Sequence, residues 1–278
     1  MAKKKKKDKK RKKIQGPKIA DAMDALELYE QAVQNPEADV EFLEEVFKTV
    51  SGRKPLTLRE DFCGTAAMCA AWVKGQPKRQ AVGMDLCEET LAWGKTRNIE
   101  PLGRAASRVK LLKENVLNGT KDKSDLIVAF NFSYCIFKQR QTLLEYFKKV
   151  REGLKDGGAF FLDCHGGTEM GESMKERKEF DGFTYVWDQK PLCAITNQAI
   201  RHIHFEFEDG SKIKKAFTYD WRMWSLPELQ DLMSEAGFSK VEVYWEGATE
   251  EGEGDGDFVL TDTAEEEQSW IAYVGGWR

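Results

Sequence analysis

The chain has 278 residues, of which 41% are hydrophobic and 11% aromatic, enough for one well-filled core with insertions and too much for an intrinsically disordered protein. Its formal net charge of -4 joins two unlike parts: residues 1–13 hold nine Lys and one Arg against the single Asp8, a net of +9, so the remainder carries -13. That acidic body argues against a nucleic-acid substrate, which needs phosphate-neutralising surface around the site, and no apolar run approaches the roughly 18 residues that span a bilayer, so no membrane partner is expected.

The lysine-rich arm, taken as residues 1–18, repels itself and is expected to stay disordered and solvated. A solubilising tail, a nuclear or nucleolar address and a contact with nucleic acid all stay open for it. Residues 19–55 read as a helical cap. One helix spans 20–34, with Ala25, Leu28, Tyr29 and Val33 near helical spacing, and after Asn35-Pro36 a second spans about 37–50. From Leu56 the pattern changes to short apolar runs at 56–60, 81–85, 109–112, 125–130 and 159–163. Helical segments at about 65–74, 88–97 and 139–153 lie between them, and this alternation predicts a parallel α/β sheet. Gly75 and Pro77 stop the first of these helices, and Lys155-Asp156-Gly157-Gly158 reads as a turn. The stretch 166–222 breaks the alternation with Phe180, Phe183, Tyr185 and Trp187 and a hairpin signal at Asp209-Gly210, so it reads as an insertion. Ser225-Leu226-Pro227-Glu228 is a capping box opening a helix that Gly237 ends, and 241–245 and 270–274 read as the last two strands. The Gly/Glu/Asp tract 246–257 between them reads as a mobile acidic loop, too polar to pack.

The six Cys include no C-x-x-C pair and no secretory signal precedes them, which predicts reduced thiols in the cytoplasm or nucleus. The chemistry concentrates in Leu58-Arg59-Glu60-Asp61-Phe62-Cys63-Gly64-Thr65-Ala66, which leaves a strand and enters a helix, and in Val82-Gly83-Met84-Asp85-Leu86. Strand, tight turn, helix, strand and terminal acid make a nucleotide-binding half, in which a carboxylate ending the second strand accepts both ribose hydroxyls. Asp85 holds that place; its bland alternative is to cap the following helix.

These residues resemble the first motif of the class I S-adenosylmethionine-dependent methyltransferases, an acid followed by a Gly-x-Gly-x-Gly turn. Glu60 takes the acid position and Gly64 the second Gly, while Phe62 and Ala66 stand at the first and third, with Cys63 and Thr65 between. Asn115-Val116 falls where the family contacts adenine, and the segment from Asp125 to Asn131 resembles its fourth-strand motif. The resemblance covers 56–163 and 225–274. It implies a Rossmann-like α/β fold in a domain over 56–278: a seven-stranded, mostly parallel sheet with helices on both faces and an antiparallel last strand, plus an inserted cap. It also implies S-adenosyl-L-methionine as cofactor, with adenosine held by Asp85, Leu86, Asn115 and Val116 and the methionine portion near Glu60, Cys63, Gly64, Thr65 and Asn131. Phe62 is expected to keep φ negative and to displace the methionine end. A dinucleotide would want the full glycine turn for its pyrophosphate.

A sulfonium methyl is already activated, so such an enzyme chiefly aligns the acceptor and excludes water. Asn131 and His165, after the fourth and fifth strands, are the candidate catalytic residues, against plain roles as turn former and packed histidine. Tyr29, Tyr134, Trp187, Arg222 and Trp224 are candidate acceptor contacts, with Trp221 and Arg201 as further ones, the two arginines to hold an acceptor carboxylate; aromatics at these spacings are more often plain core. Cys63 reads as a buried filler, and His202 with His204 supplies too few ligands for a metal, so no metal is expected. The expected activity is methyl transfer to a small-molecule acceptor. Two alternatives stay open: a protein or RNA methyltransferase docked or addressed by the lysine arm, and a non-catalytic cofactor-fold protein, which Phe62 in the turn would suit.

Overall fold

A computed structural model describes residues 16–249, 254–265 and 267–278, so the readings of the lysine arm fall, apart from Gly16, Pro17 and Lys18, on residues that lie outside those described. The chain opens with helices α1 (Ile19–Ala22), α2 (Ala25–Val33) and α3 (Pro36–Ser51). The single helix expected over 20–34 is broken at Met23-Asp24, because the Asp24 side chain accepts from the Leu26 N–H at 2.9 Å and starts a helix of its own. Next, β1 (Thr57–Asp61), α4 (Ala67–Gly75), β2 (Gln80–Asp85), α5 (Glu88–Gly94), β3 (Val109–Lys113), β4 (Ser124–Ala129), α6 (Arg140–Gly153) and β5 (Leu154–Gly166) follow the predicted alternation. Four strands come after them, β6 (Met174–Phe180), β7 (Phe183–Gln189), β8 (Gln198–Glu206) and β9 (Lys212–Arg222). The fold closes with α7 (Leu226–Glu235), β10 (Lys240–Ala248), β11 (Gly254–Leu260) and β12 (Trp270–Trp277). Among the described residues no helix is long and apolar enough to cross a membrane.

The main sheet has the order β11-β10-β12-β5-β4-β1-β2-β3. Its five central and edge strands β1 to β5 are mutually parallel, and β12 runs antiparallel to both β5 and β10. The sheet exceeds the expected seven strands by β11, which corrects the reading of 246–257 as a loop: β10 continues to Ala248, and β11 pairs with it from Tyr244–Leu260 to Ala248–Gly254. Ladder hydrogen bonds along an edge need no apolar side chains, and the charges of Asp255 and Asp257 discourage another chain from extending it. The turn expected at 155–158 is likewise absorbed into β5. Leu154 pairs with Ser124 and Ala159 with Leu126, so the residues between loop out of a continuous strand, with Gly157 at φ 69.

Both faces of this sheet are covered, which is why β4 is buried along its length and apolar from Leu126 onward. Leu143, Phe147 and Val150 of α6 and Leu229, Leu232 and Met233 of α7 pack on Phe160 and Leu162. Leu43 and Phe47 of α3 and Cys69 and Trp72 of α4 pack on Leu58, Val128 and Phe161 from the other side. Each large apolar side chain buried this way contributes about 1.5–3 kcal/mol. On β1 the same alternation turns Arg59 and Asp61 toward α6, where they form a wholly buried pair at 2.9 Å that the Tyr146 hydroxyl completes at 2.9 Å.

The strands β6-β7-β8-β9 form a second, antiparallel sheet. Cross-strand register puts Trp187 opposite Ile203, Ile203 opposite Phe217, and Arg201 opposite Tyr219, all on one face. Helix α2 covers that face, with Leu28 packed among Phe183, Ile203 and Phe205. The Ile19 and Ala20 N–H groups donate to Asp209 and Ser211 in the β8–β9 turn, tying the N-terminal helices to the inserted sheet.

Candidate functional site

The parallel strands β1, β2, β4 and β5 deliver their carboxyl ends to one edge of the sheet. After β1 the backbone passes through Phe62 (φ 59), Gly64 (φ 50) and Ala66 (φ 58), all left-handed and all at the positions of the resembled glycines. The expectation of a negative φ at Phe62 is therefore overturned. The residue adopts the glycine conformation at a strain of ~1–2 kcal/mol, and its ring packs 5.9 Å from both Phe137 and Tyr146 in the layer under α6. Burial of that ring offsets the strain.

Asp85 ties this turn to the next helix: one carboxylate oxygen accepts from the Gly64 N–H at 2.9 Å and the other from the Cys87 N–H at 2.8 Å. Glu60 accepts from the Cys69 N–H at 3.1 Å, supplying the cap that Ala66, at the start of α4, has no side chain to make. Backbone lies close on all sides. A Cβ on Gly94 would overlap the Thr65 carbonyl, and one on Gly83 would stand 2.8 Å from the Cys63 sulfur. Leu86 beside Asp85 is 63% exposed, whereas Val116 is buried and Asn115 caps a short 3-10 turn by accepting from the Leu117 N–H. The Thr65 hydroxyl is buried without a hydrogen-bond partner.

After β4, Asn131 and Phe132 also adopt left-handed backbone (φ 58 and 55), and their N–H groups donate to the two oxygens of Asp163 at 2.6 and 2.8 Å. Asp163 is absent from the sequence-derived candidates, although an acid ending the apolar run from Ala159 marks a strand tip as Asp85 does. Asp39, in the first turns of α3, accepts from the Tyr273 hydroxyl at 2.5 Å; no local pattern singles it out. Burial lifts Glu60 to about 8 against its Cys69 hydrogen bonds, with Asp39 and Asp85 adding to the rise. Burial lifts Asp163 to about 7 against the Phe132 and Asn131 N–H groups, and Asp39 to about 6 against the Tyr273 hydroxyl. No Lys or Arg among the described residues forms an ion pair with Asp39, Glu60, Asp85 or Asp163.

No family model matches the chain, and no curated relative matches it. Solved structures do. An S-adenosylmethionine-dependent methyltransferase from Clostridium acetobutylicum aligns with a TM-score of 0.65 at 15% identity, over 90% of this chain and 96% of that one. CalS10, an amino pentose methyltransferase from Micromonospora echinaspora solved with its cofactor bound, aligns at 0.62 and 12% identity over 90% and 97%. The sugar N-methyltransferase KedS8 from Streptoalloteichus aligns at 0.61 and 15% identity over 92% and 93%. The chain has the class I methyltransferase fold.

In this methyltransferase fold the inserted sheet and α2 bring a cluster of aromatic rings up to the strand tips. Tyr219 stacks on Trp221 at 4.4 Å, and Trp187 lies 6.3 and 6.2 Å from those two rings. Phe132 stands 6.1 Å from Trp221 and 4.5 Å from His165, linking the cap to the strand tips. Tyr29 hydrogen-bonds Tyr219; burial lifts its hydroxyl to about 12, and the charge of Asp163 adds to the rise. Tyr29, Trp187, Asn131 and His165 thus come together.

Tyr134, Arg222 and Trp224 do not join them. Tyr134 is 1% exposed in the α6 layer, and Trp224, 2% exposed, donates its indole N–H to the Phe137 carbonyl. Arg222 pairs across the ladder with Gln198, which puts it on the opposite face from Trp221; its guanidinium lies 3.7 Å over Trp224 and bonds to Lys138 and Glu228. His202 and His204 face Thr218 and Asp188 on the outer face, and no metal-ligating cluster occurs among the described residues.

Proposed function

We propose that the protein is an enzyme that transfers a methyl group from S-adenosyl-L-methionine to a small-molecule acceptor, and that the accepting atom is an amine nitrogen. The observation that carries this reading is the left-handed turn of Phe62, Gly64 and Ala66, braced by Asp85 beside buried carboxylates that lack a basic partner. Asp85 has lone pairs left for a ribose, Leu86 with Asn115 and Val116 borders the adenine, and Glu60, Thr65, the backbone at Cys63 and Gly64, and Asn131 border the methionine portion. The cofactor brings the activated methyl. The chain aligns the acceptor nitrogen with it and keeps water out. Asp163, at about 7, is suited to take the proton that a methylated amine sheds. His165, pushed down to about 4 by burial and then by Arg201, is a neutral imidazole on the acceptor side.

The amine is favoured by the acidic edge and aromatic walls, which suit a cationic or amine group, and by the solved neighbours described as acting on an amino pentose and as a sugar N-methyltransferase. With Phe62 in the glycine conformation, the feature that suggested a non-catalytic protein no longer argues for one. We place the enzyme in the cytoplasm, with the lysine arm as a nuclear or nucleolar address. Calorimetry tests the core of the proposal. Wild type should bind S-adenosylmethionine and S-adenosylhomocysteine, and Asp85→Ala should lose at least 100-fold in affinity; no binding to wild type refutes it. Methyl incorporation from labelled cofactor into a fractionated metabolite library tests the acceptor class.

A further inference from the structure

Arg201 on β8 is wholly buried, and no carboxylate pairs with it among the described residues. Its two terminal nitrogens donate to the Lys190 carbonyl at 2.5 Å and the Met170 carbonyl at 2.9 Å, and its Nε has no hydrogen-bond partner. Burial pushes its pKa down to about 10, so the guanidinium stays charged at neutral pH. A buried charge without a counter-charge is costly and calls for a reason beyond packing. Anchoring of the loop after β5 is a weak reason, because Gln189, in the same ladder row, already donates to the carbonyls of Glu169, Met170 and Glu172. Arg201 lies opposite Tyr219, on the face that carries the ring cluster.

His165 repeats the pattern. Its Nε2 is buried without a partner, its ring is held by Phe132, and the Arg201 charge is felt at its imidazole. Two buried polar atoms left unpaired among the described residues, on groups close enough for the Arg201 charge to act on His165, ask for an acceptor group. A carboxylate has two oxygens for the Arg201 Nε–H and for a His165 tautomer protonated at Nε2. Asp163 lies on the other side of Phe132, from whose N–H it accepts and whose ring meets His165, so carboxylate and guanidinium flank the same ring cluster.

We infer that Arg201 and His165 form an anion subsite, and that the methyl acceptor is a small zwitterion whose amine faces Asp163 and whose carboxylate faces Arg201 and His165. This rests on the methyltransferase reading.

The test uses the full chain and four matched probe pairs: tyrosine and tyramine, lysine and cadaverine, histidine and histamine, β-alanine and ethylamine. Binding to protein saturated with S-adenosylhomocysteine is measured by calorimetry, and turnover by methyl transfer from labelled cofactor. At least one carboxylated member should bind 10-fold or more tightly than its partner amine. Arg201→Met should raise the KM for that member 10-fold or more while leaving the KM for the amine unchanged. Should Arg201→Met fail to fold, acetate is titrated against wild-type turnover of the amine. Competitive inhibition supports the subsite, and its absence counts against it. Amines that bind as well as the amino acids, equal effects of the variant on both, or no binding by any amino acid overturn the proposal. Binding of S-adenosylhomocysteine with methyl incorporation into some other acceptor would leave the enzyme reading standing while this one fails.

Discussion

Cofactor affinity should depend on pH in a way that separates the sulfonium from its demethylated product. Glu60 faces Asp39 from α3, Asp85 from β2 and the Cys69 N–H from α4, and it titrates at about 8, while Asp163 and Asp39 titrate at about 7 and 6. Below those values these three carboxyls are protonated. A unit positive charge roughly 7 Å from one of these carboxylates, at an effective dielectric of about 20, attracts it by about 2 kcal/mol, or roughly 1.5 pKa units and 30-fold in affinity. S-adenosylmethionine should therefore bind ~30-fold more tightly at pH 8.5 than at pH 6 and release protons on binding. S-adenosylhomocysteine carries the same ammonium and carboxylate but no sulfonium, so it should show a clearly smaller rise. The free protein follows the opposite trend. Held above their unfolded values near ~4, these carboxyls favour folding fully at low pH and withdraw that contribution as the pH climbs through 6 to 8. Calorimetry of both ligands in buffers of different ionisation enthalpy, from pH 6 to 8.5, with Glu60→Gln as the variant expected to flatten the profile, makes the measurement. Equal slopes for the two ligands, or none for either, would refute the assignment of a cation to this edge.

The buried Arg59–Asp61–Tyr146 group should be structural: Arg59→Met strands a carboxylate and should cost about 3–5 kcal/mol, on the order of 10 °C in Tm, read by scanning calorimetry. A loss below about 1 kcal/mol would show that the pair adds little. Gly94→Ala would drive a methyl group into the Thr65 carbonyl and push α5 off the cofactor turn, with an overpacking cost of ~1–3 kcal/mol. Affinity for S-adenosylmethionine should fall at least tenfold, and an unchanged Kd would mean that α5 does not set the turn. Deletion of residues 2–13 should alter the location of the protein in the cell while leaving turnover on the true acceptor unchanged. A fall in turnover would give the lysine arm a part in the reaction.

Where near neighbours decide an outcome, the residues announced much of it, the Asp24 cap that splits the first helix being the exception. Apolar runs of strand length alternating with helical segments foretold the parallel sheet, and Ser225 and Glu228 foretold the start of α7. These signals act through hydrogen bonds and periodicity within a few residues, so they survive without knowledge of the rest of the chain. Tertiary contacts decided the remainder. Phe62 can hold a glycine conformation because Phe137 and Tyr146, distant in sequence, bury its ring. The parity of β8 and β9 sends Arg201 toward the ring cluster and Arg222 away from it, a one-residue distinction set by ladder register. The Asp39 and Asp163 carboxyls titrate above the usual range only because α3 and β5 fold them out of water, and β11 is a strand only because β10 is there to pair with it. Burial, strain and register depend on partners that the chain meets only once it has folded, and that is why no local pattern carried them.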